Sequence, residues 1–320
     1  MQIQIDKSKE GKCVLDILRG ELGLSSSLIT FLKKREDGIT VNGEHVTVRR
    51  VLLEGDLLAL RYEDSEEDQN QTVVPIDLPL DILYSDRDIL VVNKPPYMPT
   101  HPSHDHQQDT LANAVAYHFK NLKTPFVFRA VNRLDSQTSG IVLLARNKVA
   151  ARNLSEDMAK GRIHKHYFAV LHGRLDPSEG KIDAPILRAE DSKIKRIVHA
   201  EGARSLTRYR TLVANDMYSA VIASPITGRT HQLRVHFSHR GCCICGDTLY
   251  GYPCEFIERQ ALHAVRLEFP HPSSGEPITV TAPIPDDIRS LCDSVFSADD
   301  RTTLKRQKGL FSDDESNCPI

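Results

Sequence analysis

Short apolar runs separated by turn residues fill the chain from Leu80 to about Asp286, and this pattern constrains the fold most strongly. Runs of this length bounded by turn residues are typical of strands, whereas apolar spacing of three and four indicates helices. The candidates are strands at 167–171, 203–212, 218–223 and 232–236, and helices at 111–120 and 148–160. Many strands with few helices predict an α+β domain built mainly on antiparallel sheet, which we place at residues 80–290.

The bulk composition is that of a soluble globular protein, with 320 residues, 40% of them hydrophobic and 26% charged. No apolar run approaches the roughly 18 residues that a membrane helix needs. Residues 1–7 lack the basic and then apolar pattern of a signal peptide. Seven cysteines, an odd number, argue against a secreted disulfide framework. We therefore expect a cytoplasmic protein without membrane association.

Residues 12–63 are predicted to form a small separate unit. Its candidate elements are helices at 14–22 and 28–35, an Asn-Gly hairpin at 39–46 and a closing strand at 57–62. This order resembles the S-four-like RNA-binding domain, which is named after a ribosomal protein. The resemblance implies that Lys33, Lys34 and Arg35 contact RNA phosphates. The alternative is an ordinary basic last turn, which the helix dipole favours.

Two segments are predicted to lack regular structure. Residues 64–79 begin with an acidic, polar run that indicates a flexible linker. Residues 298–320 are charged and aperiodic, which predicts a disordered tail. The formal net charge of −2 does not decide for or against nucleic acid, but residues 146–210 carry 15 Lys and Arg against 8 Asp and Glu. This excess indicates either an ordinary solvated face or a basic binding surface.

Four cysteines cluster near the end of the predicted domain, at Cys242, Cys243, Cys245 and Cys254. Zinc sites usually present paired Cys-x-x-Cys or His spacings, which this cluster lacks. The cluster also lies in an apolar, strand-like run. We therefore predict small buried residues here, and no metal site.

One carboxylate, Asp135, stands out within the run Arg-Leu-Asp-Ser-Gln-Thr-Ser-Gly at residues 133–140. Short polar side chains of this kind often cap turns through bonds to nearby backbone. A positioned carboxylate is also a good nucleophile or base at neutral pH. The run by itself does not decide between capping and catalysis.

Other segments resolve this choice. They are Asn-Lys-Pro at 93–95, Tyr167 in a strand opened by Lys165, Thr-Gly-Arg-Thr-His-Gln-Leu-Arg-Val-His at 227–236, and Gly-Asp-x-x-Tyr-Gly at 246–251. In order and spacing, these segments and 133–140 resemble the RluA-type pseudouridine synthases, which isomerise selected uridines in ribosomal or transfer RNA. The likeness covers roughly residues 80–285. One departure is Asn132, where the family often has histidine.

The resemblance implies a role for each site residue. Asp135 would be the essential carboxylate, either attacking C1′ of the ribose or removing the 2′ proton to give a glycal. Arg229 would pair with it, and Tyr167 would stack on or hydrogen-bond to the uracil. The alternatives are a surface salt bridge for Arg229, worth little energetically, and a half-buried strand tyrosine for Tyr167.

Further residues are implied to contact the substrate. Leu233 would pack on the base ring, with a plain core residue as the alternative. Arg133 and His231 would contact phosphate or sugar, although Arg133 also suits a role as a loop brace. The resemblance requires no metal or organic cofactor. It implies structured RNA as the partner, either large-subunit ribosomal RNA or transfer RNA, and we expect the protein to be a monomer.

Two other classes of function compete with this prediction. A non-catalytic RNA-binding or ribosome-assembly protein needs the small N-terminal unit but has no need of Asp135, Tyr167 and Arg229 together. An aspartate-nucleophile hydrolase such as a glycosidase normally shows a second carboxylate as acid or base. No second acid stands in a comparable motif, so the sequence favours the isomerase.

Overall fold

Two separate hydrophobic cores organise the chain in the computed structural model, which describes residues 1–24, 26–61 and 73–307. The smaller core belongs to the N-terminal unit and is joined by Val149 from the rest of the chain. The larger core lies around a nine-stranded sheet that follows residue 80. No helix in these described ranges is both long and apolar enough to cross a membrane.

The N-terminal unit is a four-stranded antiparallel sheet, in the order β1-β4-β2-β3, with helices beside it. Its elements are β1 (Gln2–Gln4), α1 (Val14–Asp16), a π-helical turn (Ile17–Glu21), α2 (Ser26–Lys33), β2 (Ile39–Val41), β3 (Glu44–His45) and β4 (Leu57–Leu60). The hairpin turns at Asn42 and Gly43, both with positive φ. Strand β1 precedes residue 12, where we expected the unit to begin. It belongs to the sheet because Gln2–Gln4 pairs with β4.

The larger sheet runs in the order β5-β6-β7-β14-β8-β13-β12-β9, with β15 beside β14. Its strands are β5 (Asp81–Ser85), β6 (Ile89–Lys94), β7 (Ser139–Ala145), β8 (His164–His172), β9 (Glu179–Asp183), β12 (Leu206–Ala214), β13 (Tyr218–Pro225), β14 (Leu262–Pro270) and β15 (Pro277–Thr281). A separate hairpin contains β10 (Ile186–Arg188) and β11 (Arg196–Val198). The helices are α3 (Leu111–Asn121), α4 (Lys148–Ala159), α5 (Gln232–His239), α6 (Asp286–Val295) and α7 (Ala298–Lys305).

The predicted α+β class with mainly antiparallel sheet is confirmed. Among the described strand pairs of the large sheet, only β7 and β14 run parallel. The predicted helices at 111–120 and 148–160 are α3 and α4. Both helices begin with a side-chain N-cap, from Thr110 and Asn147 respectively. A side-chain oxygen at this position satisfies a backbone N–H that the first helical turn leaves without a partner.

The predicted strand at 232–236 is wrong, because these residues form the first part of helix α5. Polar and apolar residues alternate in this stretch, but both kinds are buried. Gln232 donates to the Leu206 carbonyl at 3.0 Å, and both His236 and Gln232 bond to Thr207. Alternation predicts a strand only when polar side chains face water. Here they face polar partners inside the domain.

Two stretches predicted to lack structure are partly ordered. Residues 298–305 of the predicted tail form α7, because Ser297 and Asp300 make a capping box and Leu304 is buried. The rest of that tail from residue 308 lies outside the described residues. The predicted linker also lies outside the described residues, up to residue 72. Its remainder packs on α3, where Asn113 donates to the Val74 carbonyl at 2.7 Å.

One row of paired residues crosses four neighbouring strands of the large sheet, β6, β7, β14 and β8. Lys94 on β6 pairs with Gly140 on β7, Gly140 pairs with Ala264 on β14, and Ala264 pairs with Tyr167 on β8. The loop that carries Asp135 leads directly into β7. The register therefore brings Lys94 and Tyr167, which are distant in sequence, to the same end of the sheet as Asp135.

Gly140 is required in this row. Its φ is +110°, and a Cβ atom built there would lie 2.3 Å from the Ala264 carbonyl oxygen. We predict that Gly140→Ala lowers the free energy of unfolding by about 2 to 5 kcal/mol, from backbone strain and overlap together. Gly161→Ala is the matched control, because Gly161 has φ +71° but nothing within 4 Å of its Cβ position. Equal losses of unfolding free energy for the two variants in urea titrations would show that overlap with Ala264 does not destabilise Gly140→Ala.

Candidate active site

The loop before β7 is held to that strand on the N-terminal side of Asp135. Val131 donates to the Leu143 carbonyl at 2.8 Å. The side chain of Asn132 is buried, donates to the Ile141 carbonyl at 3.0 Å and accepts from the Leu143 N–H at 2.8 Å. An amide can do both at once. Asn132 thus braces the loop from inside the protein, at the position where the resemblance expects histidine.

The segment after Asp135 forms the turn that its polar residues predict. The Thr138 N–H donates to the Asp135 carbonyl at 3.0 Å. Thr138 accepts from Gln260 at 3.1 Å, and Ser139 bonds to His263 at 2.9 Å. The turn chemistry therefore uses the backbone of Asp135, and its carboxylate is directed elsewhere.

Arg234 on α5 connects two carboxylates. It donates to Asp247 through Nε at 2.7 Å and Nη2 at 2.8 Å, and to Asp135 Oδ2 through Nη1 at 3.1 Å. A bidentate contact fixes the plane of a guanidinium. Burial opposes the charge of Arg234, but the two carboxylates outweigh this effect and raise its pKa. Asp135 is therefore held by a permanent cation whose own position is set by Asp247.

The predicted pairing of Arg229 with Asp135 is not the one that the structure makes. The Arg229 side chain donates from Nε to the Arg204 carbonyl at 3.2 Å. The backbone N–H of Arg229 donates to the side-chain oxygen of Gln232 at 3.1 Å. Arg229 precedes α5, whereas Arg234 lies within its first turns. Because 232–236 is helical, Arg234 faces the carboxylates and Arg229 does not.

His231 lies beside the same carboxylate. Its Nε2 is 3.8 Å from Asp135 Oδ2, and its Nδ1 is 2.8 Å from the Tyr250 hydroxyl. That hydroxyl accepts from the Arg196 N–H at 2.8 Å, so its proton is available to His231 Nδ1. This arrangement leaves the His231 proton on Nε2, facing Asp135. Burial lowers the pKa of His231, although Asp135 opposes the shift, and the lowered pKa favours the neutral imidazole.

Tyr167 is placed by β8 near Asp135, as the sheet register requires. Its side chain is 8% exposed. Burial, followed by the charge of Asp135, raises its pKa well above the ordinary value. The phenol therefore stays protonated at neutral pH, as a hydrogen-bond donor with an apolar ring.

Lys94 is fully buried beneath the Asp135 loop. Its ammonium donates to three backbone carbonyls, those of Pro95 at 2.8 Å, Met98 at 2.7 Å and Ser136 at 3.0 Å. Burial and the Arg259 guanidinium lower its pKa to about 7, while Asp135 opposes this shift. The ammonium form has one N–H for each carbonyl, so Lys94 ties the turn after β6 to the residue that follows Asp135.

The remaining predicted site residues lie in different surroundings. Arg133 is exposed, and its charge adds to the burial that lowers the pKa of the neighbouring His101. Leu233 is 5% exposed and belongs to the main core. In the N-terminal unit, Lys33 and Lys34 are exposed, whereas Arg35 forms an ion pair with Asp37 at 3.3 Å.

Sequence reasoning gave no role to Arg234, Asp247, Tyr250 or Lys94. The signals were present, since each lies within a motif that was noted: 227–236, 246–251 or 93–95. A helical interpretation of 231–234 would have placed His231 and Arg234 on one face, because residues three apart on a helix are neighbours. The bond between Arg234 and Asp247 depends on tertiary structure.

We predict that Lys94→Met destabilises the fold although methionine fills a similar volume. The substitution leaves three carbonyls, one buried and two partly buried, without their donor, and each unsatisfied buried group costs about 1 to 3 kcal/mol. Removal of a buried charge offsets part of this, so the free energy of unfolding should fall by about 2 kcal/mol or more. Lys120→Met, at an exposed position of α3, should change it by less than about 0.5 kcal/mol. Equal stabilities in urea titrations would show that Lys94 does not hold the loop.

Comparisons with known proteins show the family to which the chain belongs. A sequence model of the family described as RNA pseudouridylate synthase matches residues 88–239. The chain is 43% identical over 272 residues to the uncharacterized RNA pseudouridine synthase YjbO of Bacillus subtilis, covering 85% of this chain and 95% of that protein. It is 38% identical over 231 residues to ribosomal large subunit pseudouridine synthase D of Xanthomonas campestris, covering 68% and 70% of the two chains.

A solved structure supports the same family. The human protein RNA pseudouridylate synthase domain containing 1 superposes with a TM-score of 0.54 at 30% identity, covering 73% of this chain and 97% of its own. The relatives are similar over most of their length, and the match includes the loop of Asp135, strand β8 and helix α5. The chain therefore belongs to the RluA-type RNA pseudouridine synthases and is an isomerase that acts on RNA.

Proposed function

We propose that Asp135 is the carboxylate that acts on the ribose of the target uridine. The observation that carries this proposal is its contact with Arg234, which engages Oδ2 and is itself fixed by Asp247. The Asp135 side chain is 28% exposed, so its second oxygen remains available to a substrate. Attack at C1′ and removal of the 2′ proton both require a carboxylate held in this way.

Pseudouridine formation breaks the bond between N1 and C1′, turns the base and rejoins it through C5. The uridine must first leave its stack, at a cost of a few kcal/mol. We propose that Tyr167 offsets part of this cost by packing against the uracil and donating a hydrogen bond. Its raised pKa favours a donor role over that of a phenolate base.

The other predicted contacts are distributed around this carboxylate. We propose that His231 uses its Nε2 proton to orient Asp135 or the sugar, and that exposed Arg133 contacts phosphate. Leu233 would support the base from the core side of α5. Arg229, which lies away from Asp135, would contact RNA at the edge of the site. Lys165 lies two residues before Tyr167 on the same strand face. Its ammonium lies beside Gly228 of the motif 227–236, so we propose it as a further phosphate contact.

For the substrate, we propose large-subunit ribosomal RNA over transfer RNA. One relative is named as a ribosomal large subunit pseudouridine synthase. The N-terminal unit, with exposed Lys33 and Lys34 at the end of α2, would bind structured RNA as an S-four-like domain. We further propose that the enzyme is a monomer in the cytoplasm. Mapping pseudouridines in total RNA with and without the gene tests the substrate, and a lost site in transfer RNA alone would overturn it.

We predict that Asp135→Asn lowers the single-turnover rate of pseudouridine formation by at least about 1000-fold. The amide is nearly isosteric but is neither a nucleophile nor a base, so RNA affinity should be largely unchanged. Asp216→Asn is the matched control, at an exposed position between β12 and β13. Pseudouridine formation at the normal rate by Asp135→Asn would remove Asp135 from the chemistry. Binding without product in the wild-type protein would instead favour a non-catalytic RNA-binding function.

We predict that replacing Lys33 and Lys34 together with glutamine weakens RNA binding and reduces its salt dependence. Each lysine that contacts a phosphate releases about one counterion, so the slope of log affinity against log salt should fall by about 1 to 2. Single-turnover chemistry at saturating RNA should be unaffected. The matched control replaces Lys120 and Lys123, which are exposed at the end of α3. An unchanged slope would exclude this end of α2 from the RNA interface.

A further inference from the structure

A cluster of possible metal ligands lies at the end of β8 opposite to Tyr167. The segment 243–245 pairs with this end: His172 donates to the Cys243 carbonyl at 2.8 Å, and Cys245 donates to the Val170 carbonyl at 2.9 Å. Leu171 forms an antiparallel bridge with Ile244. Because side chains alternate along extended strands, His172 and Cys245 lie on one face and Leu171 and Ile244 on the other.

Cys254 completes the cluster from the loop that follows. Its thiol lies close to that of Cys245. The three candidate ligand atoms, from His172, Cys245 and Cys254, all lie within 4.8 Å of one another. Zinc binds sulfur at about 2.3 Å and imidazole nitrogen at about 2.0 to 2.1 Å in tetrahedral geometry, so two bound sulfurs lie about 3.8 Å apart. Small side-chain movements would bring the three atoms to this spacing.

The imidazole of His172 is held as a ligand would be. Its Nε2 is buried and has no hydrogen-bond partner within the described part of the chain. The ring packs against Tyr252 and Tyr218, with centroids 4.3 and 5.6 Å away. A buried polar atom without a partner in a native protein calls for an explanation, and a bound ion is one.

We propose that His172, Cys245 and Cys254 bind a zinc ion. Thiolate and imidazole ligands select zinc over magnesium or calcium, which prefer oxygen. Three protein ligands leave a fourth tetrahedral position for water, since His172 and Cys254 are only half-buried. The paired Cys-x-x-Cys spacing is absent because one ligand comes from β8, which sequence spacing does not bring near Cys245.

The site would have a structural role in the loop that supports the active site. Cys245 lies two residues before Asp247, which fixes Arg234. The bound ion would join the end of β8 to both ends of the segment 245–254, so that the position of Asp247 depends less on the loop's own turns. No step of the uridine reaction would involve the ion.

Zinc binding by the purified full-length protein, kept reduced, tests this proposal independently of pseudouridine formation. We expect one zinc ion per chain by elemental analysis, and thiolate charge-transfer absorption with tetrahedral visible bands when Co²⁺ replaces zinc. His172→Gln, Cys245→Ser and Cys254→Ser should each weaken zinc binding by at least about 100-fold in a competition titration with a chelator.

Cys242→Ser is the matched control. Cys242 lies in the same segment, but its thiol donates to the Arg174 carbonyl at 3.6 Å and is not one of the three clustered ligands. This variant should bind zinc as the wild type does. Circular dichroism identifies any variant that fails to fold, and Cys254→Ser, at a half-buried loop position, is the least disruptive of the three. Wild-type protein that binds zinc no more tightly than folded Cys254→Ser would overturn the proposal, as would a Cys245–Cys254 disulfide that persists under reducing conditions and excludes the metal.

Discussion

The contact of one guanidinium with two carboxylates underlies the whole candidate active site. Arg234 is buried, and removing such a cation from water costs several kcal/mol unless it is paired and hydrogen-bonded. Asp247 supplies this pairing through two bonds, which leaves the third direction of the guanidinium to Asp135. The carboxylate we assign to the reaction is thus positioned by a residue whose geometry is already satisfied without it.

The rest of the domain brings these groups together from distant parts of the sequence. The register of the large sheet sets Lys94, Gly140 and Tyr167 in one row, with the Asp135 loop leading into β7. Lys94 then holds the loop through the Ser136 carbonyl, and Asn132 holds it to β7. Backbone turns and buried side chains hold the loop, so the carboxylate does not have to act as a cap.

The sequence predicted the elements whose apolar residues face the core and whose polar residues face water. Helices α3 and α4 have an apolar face and a capping residue, and β8 contains the uninterrupted apolar run 167–171. The prediction was wrong at α5, because Gln232 and His236 are buried against polar partners that only the fold supplies. The same error concealed Arg234. Motif resemblance predicted Asp135 and Tyr167 as site residues, but the choice between two arginines required the direction in which each side chain points.

The most direct test of this account compares Arg234→Lys with Arg229→Lys in single-turnover pseudouridine formation on one RNA. Lysine keeps the charge but cannot bond to Asp247 and Asp135 in the geometry of a guanidinium. We predict that Arg234→Lys lowers the rate at saturating RNA by at least about 100-fold with little change in RNA affinity. Arg229→Lys should affect affinity more than this rate. A larger loss of rate in Arg229→Lys than in Arg234→Lys would contradict the assignment of Arg234 as the residue that positions Asp135.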